Sequence, residues 1–466
     1  MMRATAAAAA ALVLAGCASF SPDGGMGQVS ELTQQRTGQP VALQRTAEQA
    51  RGAQQRVAQI LQQPLTPDAA VELALLNNRG LQAKLHGLGI AESDLVQAGR
   101  PANPLFSFGR MSGNGTVEID RAVVFNVLSL LTLPKALEVQ QRNFAQAQLQ
   151  AAYDAVGTAA QARRAYFGAV AAQELVHYLG QVREAAEVAS LLSQRMVRAG
   201  NLSKLAQMRE HAFYADATAG LARAQQQLLV ERERLARVLG LAGAQLDFRL
   251  ADRLPELPPA PAQALDAQRT ALDQRLDVQM ARRSTEATAS ALGLTHATRF
   301  IDALELGYNN KSESGSPRSN GFELALEVPL FDFGAARTRR AEAVYMQAVQ
   351  QTAQVAIQAQ SEVREAYGSY RTAFDLARHY RDEVLPLRKR ISEENLLRYN
   401  GMLISVFELL ADSREQVSGV TDYVQALRDF WIAETDLQTA ITGRSPGDAA
   451  AAGPAQEVTA QAAAGH

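Results

Sequence analysis

Phe322-Glu323-Leu324-Ala325-Leu326-Glu327-Val328 is the stretch that decides the fold. Large apolar residues alternate here with glutamates or a small residue, the two-residue period of an extended strand with one apolar and one ionised face. Upstream, Leu304, Leu306 and Tyr308 alternate with Ala303, Glu305 and Gly307. The Ser-, Gly- and Asn-rich segment 309–321 reads as the connecting loop, so strands at about 299–330 form a β-hairpin. A weaker version lies at about 104–127. Phe106 and Phe108 alternate with Ser107 and Gly109, Ser112-Gly113-Asn114-Gly115 supplies a turn, and Val117, Ile119, Val123, Phe125 and Val127 share a face opposite Glu118, Asp120 and Asn126.

Two hairpins stand alone among hundreds of residues of helical pattern. A half-buried strand of this kind usually belongs to a soluble sheet, but no further strands are present to complete one. Strands of about 10 residues, apolar outward and polar inward, are also the signature of a transmembrane barrel. Four strands cannot close a barrel, and open strand edges are not tolerated in lipid. If the strands cross a membrane, several chains contribute to one barrel, and Glu305, Glu323 and Glu327 face its lumen, because an ionised side chain in lipid costs several kcal/mol.

The rest of the chain is a repeat. At an offset of 201 positions Arg163, Ala165 and Tyr166 fall on Arg364, Ala366 and Tyr367, and Gly200 and Leu202 on Gly401 and Leu403. At an offset of 197, Leu81, Gln82 and Leu95 fall on Val278, Gln279 and Leu292. Each copy has a short helix pair, a β segment and a long helical hairpin, and repetition of this kind fixes the architecture. The outgoing helices at 134–199 and 335–399 each run ~100 Å at ~1.5 Å per residue. Expected boundaries are 65–245 for the first copy (hairpin 134–243), a Pro-rich linker at 246–262, and 263–443 for the second (hairpin 335–443). Thr66 or Asp68, with Pro67 in the first turn, starts the first helix. Gly200 and Gly401 supply left-handed or tight backbone at the hairpin turns.

Aromatics are only 6% of the 466 residues, and formal net charge is −2. That suits long close-packed helices and gives no support to nucleic-acid binding. The six histidines are scattered, without metal-ligand spacing. No nucleophile elbow or phosphate loop is present, so no catalytic residue is assigned and the chain reads as a non-enzyme. Met1-Met2-Arg3 and the small or apolar run 4–15 are too short to span a bilayer and end at Leu14-Ala15-Gly16-Cys17. This run resembles a lipoprotein signal, 1–16, cut before an acylated Cys17. Covalent lipid there is the only non-protein group expected, and acyl chains at ~0.8 kcal/mol per buried CH₂ give a lasting anchor. Ala18, by resemblance to lipoprotein sorting rules, favours the outer membrane. Residues 17–64 read as a polar tether with a weak helix, and 444–466 as a disordered tail.

Several segments resemble the TolC-like outer-membrane efflux proteins, particularly their lipidated branch. They are Leu65-Thr66-Pro67-Asp68-Ala69-Ala70-Val71, Pro101-Ala102-Asn103-Pro104-Leu105, Val328-Pro329-Leu330-Phe331-Asp332-Phe333-Gly334, and the turns Arg198-Ala199-Gly200-Asn201-Leu202 and Arg398-Tyr399-Asn400-Gly401-Met402-Leu403. The resemblance covers roughly 65–443. It implies a mainly α chain with a small transmembrane β part. As a homotrimer, this chain would build a 12-stranded β-barrel continued by a 12-helix periplasmic tunnel. The implied partners are outer-membrane lipids, a periplasmic adaptor docking at the turns around Gly200, Asn201, Gly401 and Met402, and an inner-membrane pump. Family members narrow the tip with aspartates six to nine residues past the turn glycine. Here those spacings hold Ala206 and Arg209, then Phe407 and Leu410, so Lys204, Glu210, Glu408 and Asp412 are the aperture candidates. A lipid-tethered periplasmic coiled-coil adaptor is the alternative reading. Adaptors carry one hairpin flanked by many β residues, whereas this chain has two hairpins and two short β segments. The exported substrate is not encoded in any recognisable cluster.

Overall fold

The structure, a computed structural model, describes residues 19–113, 115–263, 266–298, 303–327, 333–404 and 406–445, with the side chains of 406–413 outside the description. Chain order is α1 (Met26–Thr37), α2 (Ala47–Ile60), α3 (Pro67–Asn77), α4 (Arg79–Ala98), β1 (Leu105–Gly113), β2 (Thr116–Asn126), α5 (Val127–Arg198) and α6 (Lys204–Leu239). The second half repeats it: α7 (Ala267–Gln274), α8 (Leu276–Thr298), β3 (Leu304–Glu313), β4 (Ser319–Leu326), α9 (Ala335–His379), a π turn (Tyr380–Val384), α10 (Leu385–Asn400) and α11 (Val406–Thr442).

The starts of these helices follow local chemistry. Thr66 caps α3 by accepting from Ala69 N at 3.2 Å, with Pro67 next to it. The α3–α4 and α7–α8 pairs each break at one extended residue, Asn78 (ψ 114) and Arg275 (ψ 132), 197 positions apart. Helix α5 begins earlier than the expected start at 134. Asn126 Oδ1 accepts from Ser129 N at 2.8 Å, which starts a helix of 72 residues with Pro134 inside it. Asn126 is therefore the effective stop signal for β2, and Val127 is helical. The outgoing helix of the second copy is not continuous α-helix: Pro386 lacks an N–H to donate back to Asp382, and the π turn precedes it.

Two further segments hold more structure than the sequence suggests. Within 18–64, read as a tether, α1 and α2 are regular helices. Thr46 and Gln49 close a capping box, and Val29, Thr33, Val41 and Val57 are buried. Within the expected loop 309–321, β3 continues to Glu313 and β4 begins at Ser319. Cys17, Asp332 and the tail beyond Ser445 lie outside the described residues.

The chain divides into two units. One comprises Ala83–Ala152 and Leu276–Ile357, with the chain up to Val29, and contains the sheet. Its helices are tied by Thr285 Oγ1 to Thr352 Oγ1 at 2.8 Å and by Arg142 Nη1 donating to the Glu286 carbonyl at 3.4 Å. The other comprises Ser30–Gln82, Tyr153–Arg275 and the chain from Gln358. Its core gathers Leu65, Leu73, Tyr166, Phe167, Leu235, Leu239, Tyr370, Phe374 and Phe430. Tyr166 donates to the Leu65 carbonyl at 3.0 Å, and Trp431 Nε1 to the Pro255 carbonyl at 3.0 Å. The Pro-rich linker is thus held to the core, with Leu250, Leu254 and Leu257 buried. At Gly240, φ is +68° and a Cβ would stand 2.5 Å from the Asn77 carbonyl oxygen, so the end of α6 requires glycine.

Candidate channel wall and helical turns

The four strands form one antiparallel sheet in the order β1-β2-β3-β4, which leaves β1 and β4 as edges. Register places Tyr308 opposite both Val123 and Phe322, Leu306 opposite Phe125 and Leu324, Leu304 opposite Leu326, and Phe106 opposite Val123. These residues share one face, since side chains in register point the same way. Tyr308 and Phe322 rings are 5.4 Å apart, yet Phe322 is 82% exposed, and Phe106, Phe108, Phe125, Leu306, Leu324 and Leu326 are exposed too. An open apolar face of this size is unusual on a soluble monomer. Towards the hairpin ends the same face turns polar: Arg121 donates to Asn310 Oδ1 at 2.9 Å and Asn310 to Asn320 Oδ1 at 2.5 Å.

The opposite face carries Glu305, Glu323 and Glu327, the three glutamates selected from sequence, with Glu118 and Asp120 beside them. Glu118 pairs with Lys311, and Asn309 donates to Glu323 Oε2 at 2.8 Å. Glu323 and Glu327 are exposed and Glu305 is half-buried. Leu105, Met111 and Val124 also lie on this face, at β1 and its partner. Lys311 was not singled out by sequence; its parity with Glu118 and Asp120 across β2 and β3 was the available signal.

The two hairpin turns differ by one residue. Asn201 N donates to the Met196 carbonyl at 2.9 Å and Gly200 sits at φ +76°, a left-handed C-terminal cap. In the second copy Leu403 N donates to the Arg398 carbonyl at 2.9 Å, so the left-handed position is Met402 at φ +59°. Gly401, expected to supply left-handed or tight-turn backbone, lies in the turn at φ −81° rather than in the left-handed region. Met402 is 92% exposed.

Of the four aperture candidates, the side chains of Lys204 and Glu210 are described. Lys204 opens α6 just after the cap Ser203 and is exposed. Glu210 is buried, contrary to a pore-facing role, with Arg414 Nη2 at 3.9 Å and its own Oε2 without a hydrogen bond. Burial pushes its carboxyl up, and Arg414 opposes the shift. Glu408 and Asp412 lie on α11, with side chains outside the described residues. Asn201 is exposed beside Gly200.

Neither a protein-family model nor a curated protein sequence matches this chain. Solved structures do. The open state of the MtrE outer membrane channel of Neisseria gonorrhoeae aligns over 80% of this chain and 88% of its own, with TM-score 0.67 and 15% identity. The outer membrane protein VceC of Vibrio cholerae aligns over 84% and 96%, with TM-score 0.63 and 16% identity. The fold is that of the TolC-like outer-membrane channels. A membrane protein from Pseudomonas aeruginosa shares it at TM-score 0.69 and 18% identity, over 83% of this chain and 93% of that one. Among the described residues no helix is long and apolar enough to cross a membrane, a criterion that does not bear on β-strands. Nor do they hold a group of three metal-ligating side chains.

Proposed function

We propose that this chain is the outer-membrane exit duct of a tripartite efflux or secretion system. The observation that carries the reading is the sheet: one exposed face of Phe, Leu and Tyr, an acidic face opposite, and two unpaired edges. In lipid that face is satisfied, and three copies joined edge to edge close twelve strands with no edge left. The glutamate face then lines a hydrated lumen. The long helices form the periplasmic continuation, with the turns at Gly200–Asn201 and Gly401–Met402 as the docking end for a periplasmic adaptor and its inner-membrane pump. Transport is passive, driven by the pump, and needs no catalytic group or cofactor. Residues 1–16 serve as signal and Cys17 carries lipid, a second anchor independent of the barrel. The likeness to channels such as MtrE supports this reading.

Cysteine labelling tests it. With Cys17 replaced by serine, Leu324→Cys in membranes should resist a charged thiol reagent and react with an apolar one, and Glu323→Cys should do the reverse. Equal reactivity at both positions would count against a membrane-spanning sheet.

A further inference from the structure

The apolar face of the sheet changes character row by row. Leu306 with Phe125 and Leu324, and then Tyr308 with Val123 and Phe322, are apolar rows. Two residues further along, Phe108, Arg121, Asn310 and Asn320 form one row, and Arg110, Ile119 and Ser312 form the next. At ~3.4 Å per residue these rows stand ~7 and ~14 Å beyond Tyr308. They lie at the hairpin ends of the strands, away from the ends that connect to helices. Every carboxylate in β1–β4 (Glu118, Asp120, Glu305, Glu313 and Glu323) lies on the opposite face.

Two arginines thus stand on the apolar face, while the acids of the strands stand on the other, Glu118 with Lys311 and Glu323 with Asn309. Arg121 faces Phe108 and Arg110 faces Ile119, so the two are diagonal neighbours on adjacent strands. Such positions are ~7–8 Å apart, within reach of long side chains. Two guanidinium groups so placed repel each other unless an anion lies between them. Arg110 is exposed and Arg121 half-buried. Arg121 donates to Asn310 Oδ1 at 2.9 Å, and Asn310 Nδ2 donates to Asn320 Oδ1 at 2.5 Å. This chain of bonds holds Arg121 in place through one N–H and leaves the rest of its donor fork unspent. It also leaves the Asn320 amide N–H groups as donors at the β4 edge. A guanidinium on a lipid-facing strand is costly at the bilayer midplane and nearly free at the interface, which a girdle of aromatic residues marks. Phe108, Tyr308 and Phe322, in these rows and the one beneath, form that girdle.

We propose that Arg110, Arg121 and Asn320 bind the phosphate groups of a phosphorylated glycolipid in the outer leaflet of the membrane. The proposal rests on the duct reading: with the helices in the periplasm, the hairpin ends lie in the outer leaflet, where phosphorylated glycolipid is the main anionic lipid of an outer membrane. A guanidinium fork matches phosphate oxygens in two-pronged fashion. The bound phosphate cancels the repulsion between the two arginines, and the acyl chains of the lipid run down over Phe322, Leu324 and Leu326. Each copy carries one such site, on the face opposite the acidic one.

The test is native mass spectrometry of the full-length protein, extracted from membranes in mild detergent, stripped of lipid and exposed to added lipid. Bisphosphorylated lipid A should be retained at least tenfold more than the same glycolipid after dephosphorylation, and at least tenfold more than phosphatidylglycerol. Arg110→Ala combined with Arg121→Ala should remove both preferences. Lys311→Ala, between the same two rows but on the acidic face, should keep them. Equal retention of the phosphorylated and dephosphorylated glycolipid by the unmodified protein would overturn the site, and that comparison needs no variant to fold. Phosphatidylglycerol retained as well as lipid A would overturn the choice of a glycolipid, and an undiminished preference in the double variant would overturn the role of the arginines. An unheated gel of the same sample separates this site from the duct reading. A heat-dissociable oligomer without lipid preference rejects the site alone, whereas no oligomer rejects the duct and the site with it.

Discussion

The two long helices of the repeat have nearly the same pattern and opposite surroundings. Val156 on α5 is 4% exposed, and its counterpart Ile357 on α9 is 64% exposed. Phe430 on α11 is fully buried among Tyr370, Phe374 and Trp431, whereas its counterpart Leu229 on α6 is 55% exposed. Duplication gave both copies the same helical period, but a single chain provides a neighbour to only one pair of faces. The difference teaches that one copy of this chain leaves its apolar strand face, its two sheet edges and one set of helix faces uncovered.

The largest expected effect breaks this comparison at its buried end. Phe430→Ala should lower the unfolding free energy by about 3–5 kcal/mol, the usual cost of emptying a buried aromatic site, read by denaturant unfolding in detergent. Leu229→Ala in separated chains should cost under about 1 kcal/mol. Equal losses at the two positions would mean that the copies are packed alike.

The sheet gives the next contrast. Leu324→Arg should cost about 2–4 kcal/mol per chain near the bilayer midplane and abolish outer-membrane assembly. Glu323→Arg, one residue away on the other face, should assemble normally and change ion selectivity in planar-bilayer recordings.

That face assignment was legible directly from Phe322 to Glu327, because a period of two survives any tertiary context that leaves one face apolar. The turns were less legible. Gly200 and Gly401 align in sequence, yet the hydrogen bond from Leu403 to Arg398 moves the left-handed position to Met402, and such a one-residue slip of a helix end leaves no mark in composition. The start of the first long helix was also placed late, at 134, while the side chain of Asn126 had already capped the helix. Glu210 was legible as an acid past the turn, but its pairing with Arg414, from a helix more than two hundred residues away in sequence, is not supplied by a linear reading.

Smaller effects sharpen the contrast between the turns. Gly200→Ala should destabilise by about 1 kcal/mol, since a left-handed residue with a Cβ costs about 1–2 kcal/mol. Gly401→Ala should be neutral, and Met402→Gly should stabilise by about 1 kcal/mol. Thermal melts of the three variants would check the order, and a loss at Gly401 equal to that at Gly200 would contradict the shifted turn.

The smallest effect concerns pH. The folded-state pKa of Glu210 is raised, so the folded chain holds the proton more tightly than the unfolded one. Its contribution to stability therefore falls as pH rises from the ordinary carboxylate range through the raised value, and returns on acidification. Glu210→Gln should flatten that dependence in melts taken between acid and neutral pH. An unchanged profile would mean that another group dominates.

The most direct measurement of the central claim is electrophoresis, without heating, of the wild-type protein from a separated outer-membrane fraction. The duct account predicts a trimer that dissociates to single chains on boiling. A single-chain band from unheated samples, released by washing or held only through Cys17, would contradict it and favour a lipid-tethered periplasmic adaptor.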